Sequence, residues 1–166
     1  MNIDLFNLCW KSRNFLEPRW LSLHQLWGEP HPEQLSKYMC RYTSIFLKEI
    51  LNATTQQSWR LVAGRPILKE QEGTTQGSFG FCTSSGLFFD HCWVQSVDLI
   101  VDITADQFGA EVVIISPVKD SRYHPNLEEA DFHQEITKLS HHPEKWLREW
   151  MNLSKPHEKS FDLYRR

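Results

Sequence analysis

What the chain lacks narrows the field first. It has no long apolar run. The strongest, Val112 to Ile115, falls far short of the ~20 residues a membrane-crossing helix needs, so no membrane span is expected. It has no dense patch of Lys and Arg. The 18 basic residues face 21 acidic ones for a net charge of −3, and cations gather only in the tail at Lys155, Lys159, Arg165 and Arg166. The positive stripe that phosphate neutralisation requires is missing, which excludes nucleic acid as the expected partner. The stretch Gly73 to Gly80 lacks the Lys-Ser/Thr ending of a phosphate-binding loop. The start, Met1-Asn2-Ile3-Asp4, has neither the basic residues nor the apolar core of a secretory signal. A cytoplasmic location is therefore expected, or secretion by a route that uses no such signal.

Cysteine is sparse as well. Cys9, Cys40, Cys82 and Cys92 form no Cys-x-x-Cys pair, and a reducing compartment argues against disulfides. Cys82, His91 and Cys92 are soft metal ligands, but consecutive residues of a strand point to opposite faces, so Cys92 turns away from His91. His141-His142 is not spaced as a helical ligand pair. No metal and no cofactor are expected.

What is present suits one soluble domain. The chain has 166 residues, with seven Trp and ten Phe to supply buried area. Residues 3–27 carry two helix-like patterns, the second over Arg19 to Trp27, and Gly28-Glu29-Pro30-His31-Pro32 breaks it. Glu33 to Leu51 has Tyr42, Ile45, Phe46, Leu47, Ile50 and Leu51 at helical spacing. The period then changes. Ser58 to Val62 alternates as a strand, and Ile67 to Ser78 reads as a loop. Gly86 to Gln95, Leu99 to Thr104 and Glu111 to Ser116 read as three consecutive antiparallel strands. From Asn126 the pattern is helical again, with Leu127, Ala130, Phe132 and Ile136 on one helix and Trp146, Leu147, Trp150 and Met151 on another after Pro143. The order predicts an α+β domain with an antiparallel sheet over residues 1–153, followed by a polar tail, 154–166.

Three residues in that frame carry chemistry. Cys40 heads the amphipathic helix, where free N–H groups and the helix dipole favour a thiolate and a developing oxyanion. Cysteine is also commonly a small buried residue. His91, in Asp90-His91-Cys92-Trp93-Val94, is an imidazole inside an apolar strand, either a core histidine or a general base on a rigid element. Asp102 lies among Ile100, Val101 and Ile103, where a charge is costly unless paired. If residues 96 to 99 form the hairpin, Asp102 stands across from Trp93 and diagonal to His91, within reach of its ring. A one-residue slip would send it to the other face.

The order of helix-borne Cys40, strand-borne His91-Cys92-Trp93-Val94 and the next strand's Asp102-Ile103-Thr104-Ala105-Asp106-Gln107-Phe108 resembles the papain-like and transglutaminase-like cysteine enzymes over residues 34–116. The resemblance implies a helix packed on a small antiparallel sheet, with Cys40 as nucleophile, His91 as base and Asp102 orienting the base. It also implies that Gln34, six residues before Cys40, helps the Cys40 N–H line an oxyanion hole. Trp93 would shield the imidazole–carboxylate pair, and Gln107 would line the cleft or cap a turn. The chain lacks the Cys-Gly-Ser-Cys-Trp signature of papain itself. The implied activity is hydrolysis or acyl transfer at an amide of a protein or peptide substrate, with a glutamine deamidase favoured over a peptidase or a transglutaminase. The competing expectation is a non-catalytic module that offers a Trp-rich surface to a partner. Cys82 is the alternative nucleophile, Cys9 reads as packing, and Tyr123 and His124 as a loop bordering the site. Oligomeric state leaves no trace in the sequence.

Overall fold

The computed structural model describes residues 4–64, 68–69, 73–74, 79–82 and 88–153. Helix α1 runs from Leu5 to Leu26, capped by Asp4, whose carboxylate accepts from the Asn7 backbone N–H at 3.1 Å. It is one helix where the sequence suggests two. Pro18 sits inside it, but the buried stripe Cys9, Arg13, Leu16, Trp20 and Leu23 continues on both sides. Packing of that stripe outweighs the ~3 kcal/mol a mid-helix proline costs. Gly28, at φ +83°, turns the chain out of the helix, and the Glu29 N–H closes the end on the His24 carbonyl at 2.8 Å.

Helix α2 spans Cys40–Thr54. The expected start near Glu33 is displaced because residues 34–39 close into turns, with Lys37 N–H on Gln34 O and Met39 N–H on Ser36 O, and Tyr38 at φ +65° cannot continue a right-handed helix. The sheet has five antiparallel strands. They are β1 (Arg60–Gly64), β6 (His91–Gln95), β7 (Leu99–Asp102), β8 (Ile114–Pro117) and β9 (Leu127–Glu128), in the spatial order β8-β7-β6-β1-β9. Two short ladders lie outside it, β2 (Leu68–Lys69) with β3 (Gly73–Thr74) and β4 (Phe81–Cys82) with β5 (Phe88–Phe89). The stretch read as a loop, 67–78, thus contains a paired hairpin. The single strand expected over Gly86 to Gln95 is split at Asp90 between two sheets.

Leu127, expected in a helix, pairs as β9 against Ala63. A 3-10 turn then leads into α3 (His133–Leu139) and α4 (His141–Leu153), with Pro143 in the first turn of α4 where a missing N–H costs nothing. The polar tail expected over 154–166 lies outside the described residues. Among the described residues no helix is long and apolar enough to cross a membrane.

Strand alternation sorts the core into two layers. Leu61, Ala63, Cys92, Val94 and Val101 face the helices and join Leu16, Trp20, Phe46 and Leu47. Val62, Trp93, Ile100 and Ile114 face the other way and pack with Phe79, Ala105 and Tyr123. Tryptophan goes inward: Trp20, Trp59, Trp93 and Trp146 are buried, and Trp27 is the one exposed indole. Trp10 and Trp150 are half-buried.

Candidate active site

The hairpin between β6 and β7 fixes the site. Val94 pairs with Val101 and Gln95 with Ile100, and the Ser96 N–H donates to the Leu99 carbonyl at 2.8 Å. Only Val97 and Asp98 form the loop, and one further step of the register sets Asp102 opposite Trp93. His91 and Asp102 therefore share the face turned away from the helices. His91 Nε2 donates to Asp102 Oδ2 at 2.6 Å, with both side chains fully buried.

The carboxylate is held from every side. Oδ1 accepts from the Thr104 N–H at 2.8 Å and the Thr104 hydroxyl at 3.0 Å. Oδ2 accepts from His91 and from the Tyr123 hydroxyl at 3.0 Å. Burial works against the charge, but the His91 imidazolium, its hydrogen bond and the two Thr104 donors hold Asp102 below its usual pKa. Burial likewise opposes a charged imidazole. The Asp102 carboxylate outweighs it, and Cys40 adds in the same direction, so His91 is raised above its ordinary value. The two form one buried ion pair that titrates as a unit.

Cys40 reaches this pair from the first turn of α2. Its charge and hydrogen-bonding capacity act on His91 in the same direction as Asp102. With Nε2 committed to Asp102, Nδ1 is the nitrogen left for the thiol. Nδ1 is buried and, by strict distance and angle, has no partner of its own among the described residues. One turn on, the Ser44 hydroxyl donates to the Cys92 carbonyl at 3.1 Å, which fastens this face of α2 to β6 beside His91. The helix start carries no side-chain cap, so first-turn N–H groups at Cys40 remain open to a ligand. Tyr38, immediately upstream, holds the left-handed conformation that non-glycine residues avoid and that recurs at functional sites.

Cys40 is 7% exposed, and a cavity of about 360 Å³ opens at it. Its lining mixes aromatic Tyr38, Tyr42 and Phe89 with charged Arg41, Asp90 and Glu135. Arg41 pairs with both carboxylates, Asp90 at 3.2 Å and Glu135. Four rings surround His91, the nearest being Phe108 with centroids 4.9 Å apart and Phe79 at 5.9 Å. Trp93 lies 6.1 Å away, 1% exposed, its indole N–H on Gln95, and Tyr123 completes the set. These rings wall the buried ion pair off from water.

Gln34 sits elsewhere than the sequence suggests, and Gln107 takes the turn rather than the cleft of its two expected places. The Gln34 amide nitrogen donates to the Asp106 carbonyl at 2.8 Å and to its carboxylate at 3.1 Å, so both N–H bonds are engaged away from the cavity lining. Gln107 folds back on its own turn, with Nε2 on the Thr104 carbonyl at 2.8 Å. Both brace the 103–108 segment, where the buried Arg13 also grips the Asp106 carboxylate at 2.8 and 2.9 Å and the Ile103 carbonyl at 2.6 Å. Cys9 and Cys92 are buried in the helix-side core. Burial pushes the Cys9 thiol up to about 12 and the Cys92 thiol up further still. The Cys82 side chain lies outside the described residues. Also among the described residues, no group of three or more His, Cys, Asp or Glu is arranged to hold a metal ion.

Thr104, Phe79, Phe108 and Arg41 belong to the site without having been expected in it. Thr104 had a signal, since an Asp side chain commonly accepts from the N–H two residues on. The others are brought in by tertiary folding. Comparison with family models, curated proteins and solved structures finds no match to this chain.

Proposed function

We propose that the protein is a cysteine-dependent amidohydrolase or acyltransferase, with Cys40 as nucleophile, His91 as base and Asp102 as the residue that orients and charges the imidazole. The observation that carries this reading is the placement of the Cys40 thiol at an uncapped helix start against a buried imidazole whose other nitrogen is held 2.6 Å from a buried carboxylate. A core histidine needs no such trio, and burying this ion pair costs stability that packing alone would not require. The residue order supports a papain-like or transglutaminase-like core.

In this mechanism the thiol proton has already passed to His91, whose imidazolium Asp102 holds, and the sulfur attacks an amide carbonyl carbon. The carbon–sulfur bond forms, and the oxyanion takes the Cys40 N–H at the helix start. Gln34, tied to Asp106, supplies no donor in this arrangement. His91 returns its proton to the leaving nitrogen as the carbon–nitrogen bond breaks, which leaves a thioester. Water then releases the acid and restores the thiol, or an amine takes the acyl group. The aromatic and charged walls of the cavity suit a protein side-chain or peptide amide, with a glutamine carboxamide the favoured substrate.

Iodoacetamide labelling against pH, with peptide mapping, tests the reading. Cys40 is expected to alkylate in the folded protein while Cys9 and Cys92 stay unlabelled, and His91→Ala should change the pH profile and slow the reaction at neutral pH. Labelling of Cys40 only on unfolding would end the proposal. A Cys40→Ala variant then serves as a substrate trap. On the trapped target, deamidation by the wild type adds about one dalton, whereas transamidation adds the amine.

A further inference from the structure

Asp102 has two oxygens and four donors, and their division is uneven in kind. Thr104 takes Oδ1 with both its N–H and its hydroxyl, which fixes the carboxylate plane. Oδ2 is left to His91 at 2.6 Å and Tyr123 at 3.0 Å. We propose that Tyr123 is a positioning residue of the same site, its hydroxyl sharing Asp102 Oδ2 with His91 and so setting how tightly the carboxylate holds the imidazole. This inference rests on the reading of Cys40, His91 and Asp102 given above and adds a member that acts through Asp102.

Packing does not explain the hydroxyl. The Tyr123 ring lies edge-on to Phe79 and Trp93, each with centroids 5.0 Å away, in a layer that phenylalanine would fill equally well. A buried hydroxyl requires a partner, and this one meets the oxygen that His91 uses. Burial, the Asp102 charge and the shared hydrogen bond hold the phenol far above its ordinary pKa, so it remains a donor.

The backbone is arranged to bring it there. The Tyr123 N–H closes a turn on Asp120 at 3.1 Å, and the Asn126 N–H is anchored on the Ala63 carbonyl at 3.1 Å. Between them the His124 carbonyl crosses Gly64, so close that a Cβ there would stand 2.1 Å from the oxygen. Gly64 is the residue paired with His91 in the β1–β6 ladder. The strap carrying Tyr123 thus lies directly over the strand position that carries the imidazole.

Among the described residues, the charged and titratable groups that face His91 are Asp102 from β7, Cys40 from α2 and Tyr123 from the strap, beside the rings of Phe79, Phe108 and Trp93. Beside Tyr123, Arg122 is paired with Asp120 and Glu111. Removing the phenol hydroxyl concentrates the carboxylate's charge on its remaining partner at Oδ2. The imidazole then becomes harder to deprotonate. A purely structural tyrosine would do the opposite when truncated, because loosening the pair releases the proton earlier.

The test is imidazole titration by NMR on protein labelled at histidine, with His91 assigned by its loss in His91→Gln. Tyr123→Phe should raise the His91 midpoint by about half to one pH unit. Site-specific 3-fluorotyrosine at position 123, a stronger donor of nearly the same shape, should lower it, and it decides the matter if the phenylalanine variant fails to fold. An unmoved midpoint, or a fall in Tyr123→Phe, overturns the proposal. Cys40 alkylation is followed in parallel. An inert Cys40 sinks the catalytic reading, whereas the NMR midpoint alone judges Tyr123, so the two failures are told apart.

Discussion

Gly64→Ala is the sharpest probe of how the site is held. The new methyl carbon would meet the His124 carbonyl oxygen at 2.1 Å, its carbon at 2.9 Å and the Trp93 ring at 3.0 Å, where ordinary contact begins near 3.4 Å. The first two are backbone atoms and cannot swing aside as a side chain would. The strap must retreat by about 1 Å, since a packed interior has no slack of that size. Overpacking of this kind costs about 1–3 kcal/mol. The retreat also pulls the Asn126 N–H from the Ala63 carbonyl, a bond of 3.1 Å worth about 1 kcal/mol. Alanine returns about 0.5–1 kcal/mol through its smaller loss of backbone entropy. The net loss is about 1–3.5 kcal/mol, or a fall in Tm of roughly 2–14 °C for a domain of this size. Thermal unfolding by circular dichroism measures it, and hydrogen exchange at the Asn126 amide locates it. An unchanged Tm with full protection at Asn126 would refute the claim that the strap is seated through Gly64.

Two further outcomes follow from the buried charges. The raised pKa of His91 contributes stability that is whole below its ordinary value of 6.5 and fades as pH climbs towards about 10, because the unfolded chain gives up the proton first. Asp102, lowered from 3.8, contributes above that value and loses its share as pH falls through the lower folded value. Urea unfolding of the wild type against His91→Gln should therefore show an excess slope of up to ~1.4 kcal/mol per pH unit on the alkaline side, and parallel curves would contradict the ion pair. Arg13 is 4% exposed, and Arg13→Met strands the Asp106 carboxylate and the Ile103 carbonyl. The expected loss is about 3–5 kcal/mol, read by denaturant unfolding, and a variant as stable as the wild type would show that the guanidinium does not brace the 103–108 turn.

How much of this could be seen in the chain depends on the range of the forces involved. The α+β order, the Cys40 helix and the β6–β7 hairpin were legible because each is written locally: a buried face every three to four residues in α2, alternation in the strands, and a two-residue loop that leaves one register able to bury Ile100 and Val101. Local pattern misled where tertiary contacts overrode it. Residues 3–27 read as two helical patterns that the stripe from Cys9 to Leu23 joins across Pro18, and Leu127 carried a helical spacing yet finds its hydrogen bonds across from Ala63. Gln34 shows the same limit in the candidate site. Its offset from Cys40 was readable, but Asp106, 72 positions away, determines where its amide points. Tyr123 is the extreme case, since no residue within its own loop reveals that Asp102 lies 3.0 Å away. Yet the lone buried aspartate could be read in reverse. A carboxylate set among Ile100, Val101 and Ile103 requires several donors, and His91 by itself could fill one of about four acceptor positions. The unfilled remainder was a reason to look for residues such as Thr104 and Tyr123, and the same count applies wherever a charged side chain is written into an apolar strand.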